Sequence, residues 1–162
     1  MTWNDVIADK SLQDLPYKIE TNGYGQVVMS PASHYHNRFQ GVIYRLMSEL
    51  APSGEPLMEC SIETDDGVKV ADVAWLSSAF IKAHEFQTPY KLSPEMCVEV
   101  ISPSNSRAEM RQKRELYFSQ GATEVWLCDS AGAMRFFDRN GELSQTELFP
   151  SFPKTVCPSA SN

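Results

Sequence analysis

MCVEVISPSNS, residues 96–106, is the stretch whose reading decides the fold. Five of its first six residues (Met96, Cys97, Val98, Val100 and Ile101) are apolar or carry sulfur, as in a strand covered on both faces. Glu99 breaks that pattern. An ionised carboxylate in such a strand is costly unless a positive group meets it. The Ser-Pro-Ser turn ends the strand, and a helix is expected from about Ser106 to Gln120, closed by Gly121.

Working outward, two more residues break the pattern in the same way. Asp72, in KVADVAWL, stands among Val70, Ala71, Val73 and Ala74. Strand alternation groups Asp72 with Val70 and Ala74, and Glu99 with Cys97 and Ile101. If the two strands are neighbours, both carboxylates can face one point. In SRAEMRQKRELYFSQG, Met110, Leu116 and Tyr117 lie three or four residues from Lys113, so this lysine projects from the helix face that should be buried. Arg107, Arg111 and Arg114 add positive charge. A lysine held unpaired against a sheet would lose its proton or cost several kcal/mol.

A simple ion pair between Lys113 and one acid leaves the second acid unmatched. Two like charges repel by about 4 kcal/mol at about 4 Å for an effective dielectric near 20. A divalent cation resolves this better. Two carboxylates, a backbone carbonyl and waters form an oxygen-rich shell suited to Mg²⁺ or Mn²⁺. Lys113 can then orient or deprotonate an attacking water, or steady charge developing on phosphorus. Such a set suits phosphodiester hydrolysis.

The rest of the chain supplies a frame. LPYKIET and GQVVMSP flank NGYG and predict a β-hairpin. In SHYHNRFQGVIYRLMSEL, Phe39, Val42, Ile43, Leu46, Met47 and Leu50 recur at steps of three and four, a helix with Ser33 as N-cap. PLMECSIET and VKVADVAWLS read as strands around TDDG, SSAFIKAHEF as a short helix, and TEVWLCD as a further strand. AMRFFDR and ELSQTELF form a hairpin around Asn140-Gly141. The expected architecture is α/β (α+β): one mixed sheet flanked by helices, with hairpins at both ends. It is expected as a single domain over 1–149, with a loose tail over 150–162.

At this point the chain resembles a known family. The phrases GQVVMSPAS, VADVAWLS, CVEVISPSNS and KRELYFSQGATEVWLCD look like the Uma-two family of restriction-endonuclease-like proteins, within the PD-(D/E)XK nuclease superfamily. The likeness covers roughly residues 16–148. It implies a restriction-endonuclease-like fold and a divalent metal, Mg²⁺ or Mn²⁺, held by Asp72 and Glu99. Two departures stand out. Ala71 takes the place of the proline in the superfamily name, and Ile101 the place of its lysine. In this family the lysine looks to have moved to the following helix, where Lys113 stands. The family also tends to carry an acid before its first helix, for which Glu20 is the nearest candidate.

Other polar residues carry less. Gln40, on the polar flank of its helix, is a possible additional site residue that could reach a phosphate or a metal-bound water. His34 and His36 are two apart and share no helical face, so a metal pair is not expected. Tyr117 reads as core.

Composition bounds the partners. With 162 residues, 42% hydrophobic and 22% charged, the chain can bury one ordinary core. No apolar run approaches a membrane span, and the first residues do not read as a secretory signal. Four widely spaced cysteines without a CxxC pair read as reduced thiols of a cytoplasmic protein. A net charge of −7 disfavours loose attachment to nucleic acid through a global field, but it leaves room for a local basic groove. The expectation is a metal-dependent endonuclease acting on nucleic acid, DNA first, with a homodimer expected from class alone. A non-catalytic binding module on the same fold and a small-substrate phosphoesterase are the alternatives.

Overall fold

A computed structural model describes residues 1–158. The chain opens with a short helix, α1 (Trp3–Ala8), held by a Thr2–Asp5 capping box, and a 3-10 turn, Lys10–Leu12. Neither was expected from hydrophobic spacing. Both are set by local caps, Thr2 for the first and Asp9 for the second.

The hairpin β1 (Tyr17–Thr21) and β2 (Val27–Pro31) forms where NGYG predicts it. Helix α2 (His34–Leu50) starts on Ser33, whose side chain accepts from His36 N. It buries Phe39, Ile43 and Met47, each worth about 1.5–3 kcal/mol of apolar transfer.

The main sheet has six strands in the order β3-β4-β5-β6-β7-β8. These are β3 (Glu55–Thr64), β4 (Gly67–Leu76), β5 (Met96–Val100), β6 (Glu124–Cys128), β7 (Met134–Asp138) and β8 (Gly141–Leu143). Only β5 and β6 pair in parallel, which requires the crossover helix α4 (Arg107–Ser119) between them. A shorter helix, α3 (Ser78–His84), follows β4. α2 covers one face over Val73, Val98, Val100 and Trp126. α4 covers the other, with Tyr117 against Ala74, Cys97 and Val125. β5 and β6 are buried at every position, as expected of strands covered on both faces.

The C-terminal end departs from expectation. β8 is only three residues long, and ELSQTELF does not continue as a strand. Instead the buried Glu124 carboxylate captures this segment, accepting from Thr146 Oγ1 (2.6 Å), Glu147 N (2.8 Å) and Leu148 N (3.1 Å). Nor does packing end at residue 149. Phe152 and Val156 are buried in the main core, and Val156 N donates to Gly132 O at 2.8 Å. The apolar side chains spaced among the prolines find the α2-side core, so the expectation of a loose tail is corrected through residue 158. Residues 159–162 of that expected tail lie outside the described residues.

Candidate active site

The strands position the acids. β4 and β5 pair antiparallel through Val73–Val98, Ala74–Cys97 and Trp75–Met96. One step beyond the Val73–Val98 pair, Asp72 and Glu99 face each other on the α4 side of the sheet. Asp72 is fully buried and Glu99 is 2% exposed. From α4, buried Met110, Lys113 and Tyr117 form one stripe that turns toward them. A Ser106–Glu109 capping box starts the helix in the right place, and Asn105 links it to the Ser-Pro-Ser turn through Glu109 Oε1 (3.0 Å) and Ser102 N (2.9 Å).

The structure therefore brings Asp72, Glu99 and Lys113 together. Lys113 Nζ donates to Glu99 Oε1 at 3.3 Å and to Glu20 Oε1 at 2.8 Å. Tyr117, expected only as core, is buried and also donates its hydroxyl to Glu99 Oε1 at 2.6 Å.

Glu20 arrives from β1. β5 pairs with only the later part of β4, so the first half of β4 presents free N–H groups. Glu20 Oε1 accepts from Val70 N (2.8 Å) and Thr21 Oγ1 from Val68 N (2.8 Å), which docks the hairpin on that edge. Gln40 belongs to a different role from the one expected. It is buried, and its amide Nε2 is spent on Asp72 O (2.8 Å) and Glu59 Oε1 (2.6 Å), so it braces β4 rather than reaching outward. Glu59 itself has a positive φ of 52°, a strained backbone for this residue type.

Two further groups join the cluster: Lys18, which the sequence reading passed over, and His36, which it weighed only as half of a metal pair. Lys18 Nζ donates to Asp72 Oδ1 (2.9 Å) and Glu99 Oε2 (3.0 Å) at once and lies 3.9 Å from Glu20 Oε1. His36 Nε2 lies 3.2 Å from Asp72 Oδ2, which also accepts from Val100 N at 2.7 Å. Both had a signal in the sequence. Lys18 alternates with Glu20 on β1, and His36 precedes Gln40 and Ile43 on one face of α2. Of the two histidines at the start of α2, it is His36 whose ring reaches Asp72.

Lys18 also corrects one premise. The second carboxylate is not left unmatched by Lys113, because Lys18 meets it. Counting Asp72, Glu99 and Glu20 against Lys18 and Lys113, the cluster is close to neutral before His36 is considered.

The electrostatics follow from burial opposed by pairing. Burial works against the charge on Lys18, but Asp72, Glu99 and Glu20 outweigh it and hold its pKa well above the ordinary lysine value. Burial would raise Asp72, but Lys18 and the His36 hydrogen bond overcome it and keep the carboxyl below the usual range. Glu20 is likewise lowered, burial being outweighed by Lys113 and Lys18. Glu99 ends on the other side. Its burial, with Asp72 and Glu20 nearby, outweighs the two ammonium groups and lifts its pKa. His36 is raised, first by its hydrogen bond to Asp72.

As a metal centre the donor set is sparse. Among the described residues no group of three or more His, Cys, Asp and Glu side chains is arranged to hold an ion. Yet Asp72 Oδ1 and Glu99 Oε2 already converge on one cation, the Lys18 ammonium. Two hard carboxylate oxygens fit Mg²⁺ or Mn²⁺, with backbone oxygens or waters completing the shell, provided Lys18 withdraws. A pocket of about 30 Å³ beside Lys18, His36, Asp72, Glu99 and Lys113 has room for one or two waters. A larger cavity of about 730 Å³ lies away from this cluster beside Trp3 and Phe86.

This architecture is shared with a nuclease-like class. A solved structure described as "a putative nuclease belonging to DUF820", from Anabaena variabilis, superposes with a TM-score of 0.63 at 16% identity, covering 74% of this chain and 71% of that one. At that identity the likeness is one of fold. The family described as "Putative restriction endonuclease", Uma2, matches residues 11–158. The chain belongs to that family. Comparison with curated proteins finds no match.

Proposed function

We propose that this protein is a divalent-metal-dependent endonuclease that hydrolyses phosphodiester bonds of nucleic acid, DNA in the first instance. The observation that carries the proposal is the convergence of Asp72, Glu99 and Lys113 from β4, β5 and α4 at one buried point, with Lys113 Nζ 3.3 Å from Glu99 Oε1. Asp72 and Glu99 would hold Mg²⁺ or Mn²⁺. A bound ion of that kind acidifies water and offsets charge on a phosphoryl oxygen. Lys113 brings a fixed ammonium to the developing negative charge, and Glu20 holds that ammonium in place. Tyr117 fixes the rotamer of Glu99. Gln40 fixes the strand that carries Asp72. Cutting both strands of a duplex at one locus would take two copies, as in a homodimer.

The test is nicking of supercoiled plasmid with Mg²⁺ or Mn²⁺ by wild type, Asp72→Ala and Lys113→Ala. Each variant is expected to lose on the order of 10²- to 10³-fold in rate, the scale of a removed transition-state stabiliser. Equal nicking by all three would refute the assignment.

One observation favours a second reading, a non-catalytic module that keeps the fold. Lys18 and Lys113 together already neutralise both central acids. Calorimetric titration with Mn²⁺ separates the two, since a purely structural ion cluster takes up no metal.

A further inference from the structure

Helix α4 presents more than Lys113. Arg107, Arg111 and Arg114 recur at steps of four and three, so they form one stripe beside the Lys113 stripe. That stripe lines a groove of about 380 Å³ floored by Met110, Leu127 and Phe137. Asn105 borders both this groove and the pocket that holds Asp72, Glu99 and Lys113, so the two adjoin.

Among the described residues, none of the three arginines is held in an ion pair, and the arginine ion pairs engage Arg45 and Arg135 instead. Arg135, also on the groove, is spent on Glu142 through two bonds of 2.8 Å. Burial, with Arg135 and Arg111 nearby, lowers the Arg114 pKa against the opposing pull of Glu142 and Glu115. The Arg114 guanidinium stacks over the Phe137 ring at 3.7 Å, which fixes its plane, while its shielded Nε finds no hydrogen-bond acceptor. Like charges four apart on a helix are destabilising, so the stripe costs the free protein stability in a chain whose net charge is −7. A ligand rich in anionic oxygens would offset that cost.

We propose that this groove binds a DNA strand leading into the site, its phosphates set against Arg107, Arg111 and Arg114. Seven helical residues rise about 10.5 Å, the axial span of roughly three phosphates of one strand. Guanidinium groups suit phosphate oxygens because their donors form a planar fork. This inference rests on nucleic acid being the substrate, and it adds where the backbone runs.

The experiment is fluorescence anisotropy of a labelled DNA duplex in EDTA, where no cleavage proceeds, from about 50 to about 200 mM salt. The proteins are wild type, Arg107→Gln/Arg111→Gln, the triple variant that adds Arg114→Gln, and Arg45→Gln on α2 as a control for charge alone. Each phosphate contact contributes about 0.9 to the slope of log affinity against log salt. The double variant should lose about 1.8 and the triple about 2.7, equal to roughly 40-fold of the wild-type change in affinity over that range. Arg45→Gln should match wild type. The double variant leaves the Arg114–Phe137 stack intact, so it decides the matter if the triple does not fold. Wild-type binding with an unchanged slope in the double variant overturns the groove and leaves the nuclease proposal standing. Absence of wild-type binding at low salt overturns the groove as well, while the nuclease proposal is decided separately by plasmid nicking with Mg²⁺ or Mn²⁺.

Discussion

Replacing Lys18 by methionine tests the charge balance on which the site depends. In the folded protein the ammonium lies 2.9 Å from Asp72 Oδ1 and 3.0 Å from Glu99 Oε2. At an effective dielectric near 20, each contact is worth about 5–6 kcal/mol before desolvation, and burying the ammonium cancels much of that. Lys18→Met leaves Asp72 and Glu99 facing each other, and uptake of a proton limits the loss to about 3–5 kcal/mol. For a chain of this size that is a fall in melting temperature of about 6–20 °C in EDTA. Manganese should reverse the order of gains. In wild type a metal must displace Lys18, whereas in the variant nothing competes for the two carboxylates. At 100 times its Kd a bound ion adds about 2.7 kcal/mol, so the variant should recover about 5–11 °C and wild type less. The assay is thermal unfolding followed by far-UV circular dichroism, with EDTA or titrated Mn²⁺. A variant as stable as wild type in EDTA, with the same increment from Mn²⁺, would refute the account of Lys18 as the cation these acids share.

Other outcomes follow from the same structure. Gly132 has φ +84°, and a β-carbon there would run into Val156 O and the Phe39 ring, so Gly132→Ala should cost about 2–5 kcal/mol in urea unfolding. Burial pushes the Cys97 and Cys128 thiols up to about 12, and Cys60 is buried too, so a thiol reagent at neutral pH should label exposed Cys157 quickly and the other three only on unfolding. The His36 pKa is raised above 6.5, so its stabilisation is complete below that pH and is lost as pH rises through the folded value. The Asp72 pKa is depressed below 3.8, so its contribution is complete above that pH and is lost as pH falls through the folded value. Denaturant unfolding should therefore show greatest stability from this pair between about pH 4 and pH 6.5, with the alkaline-side fall absent in His36→Asn.

Much of the fold follows from residue periods, which are local. The α2 stripe, the paired strands around Asp65-Asp66-Gly67 and the strand-turn-helix from Met96 to Ser119 all formed as spacing predicts. Asp72, Glu99 and Lys113 were legible because each breaks a local pattern of burial. α1 was not, since six residues held by a cap carry too little apolar period. The C-terminal segment was misjudged because its burial depends on Glu124, more than twenty residues away in the chain.

The chain sequence by itself determines which faces are buried and which charged groups must sit on them, because helical and strand periods are properties of neighbouring residues. Only the tertiary structure decides who meets whom. Lys18 reaches Asp72 across 54 residues and Glu99 across 81, and no period links positions so far apart. The docking of the β1–β2 hairpin on the free edge of β4 makes that meeting, and with it turns a lysine–acid pair into a cluster of three acids and two lysines.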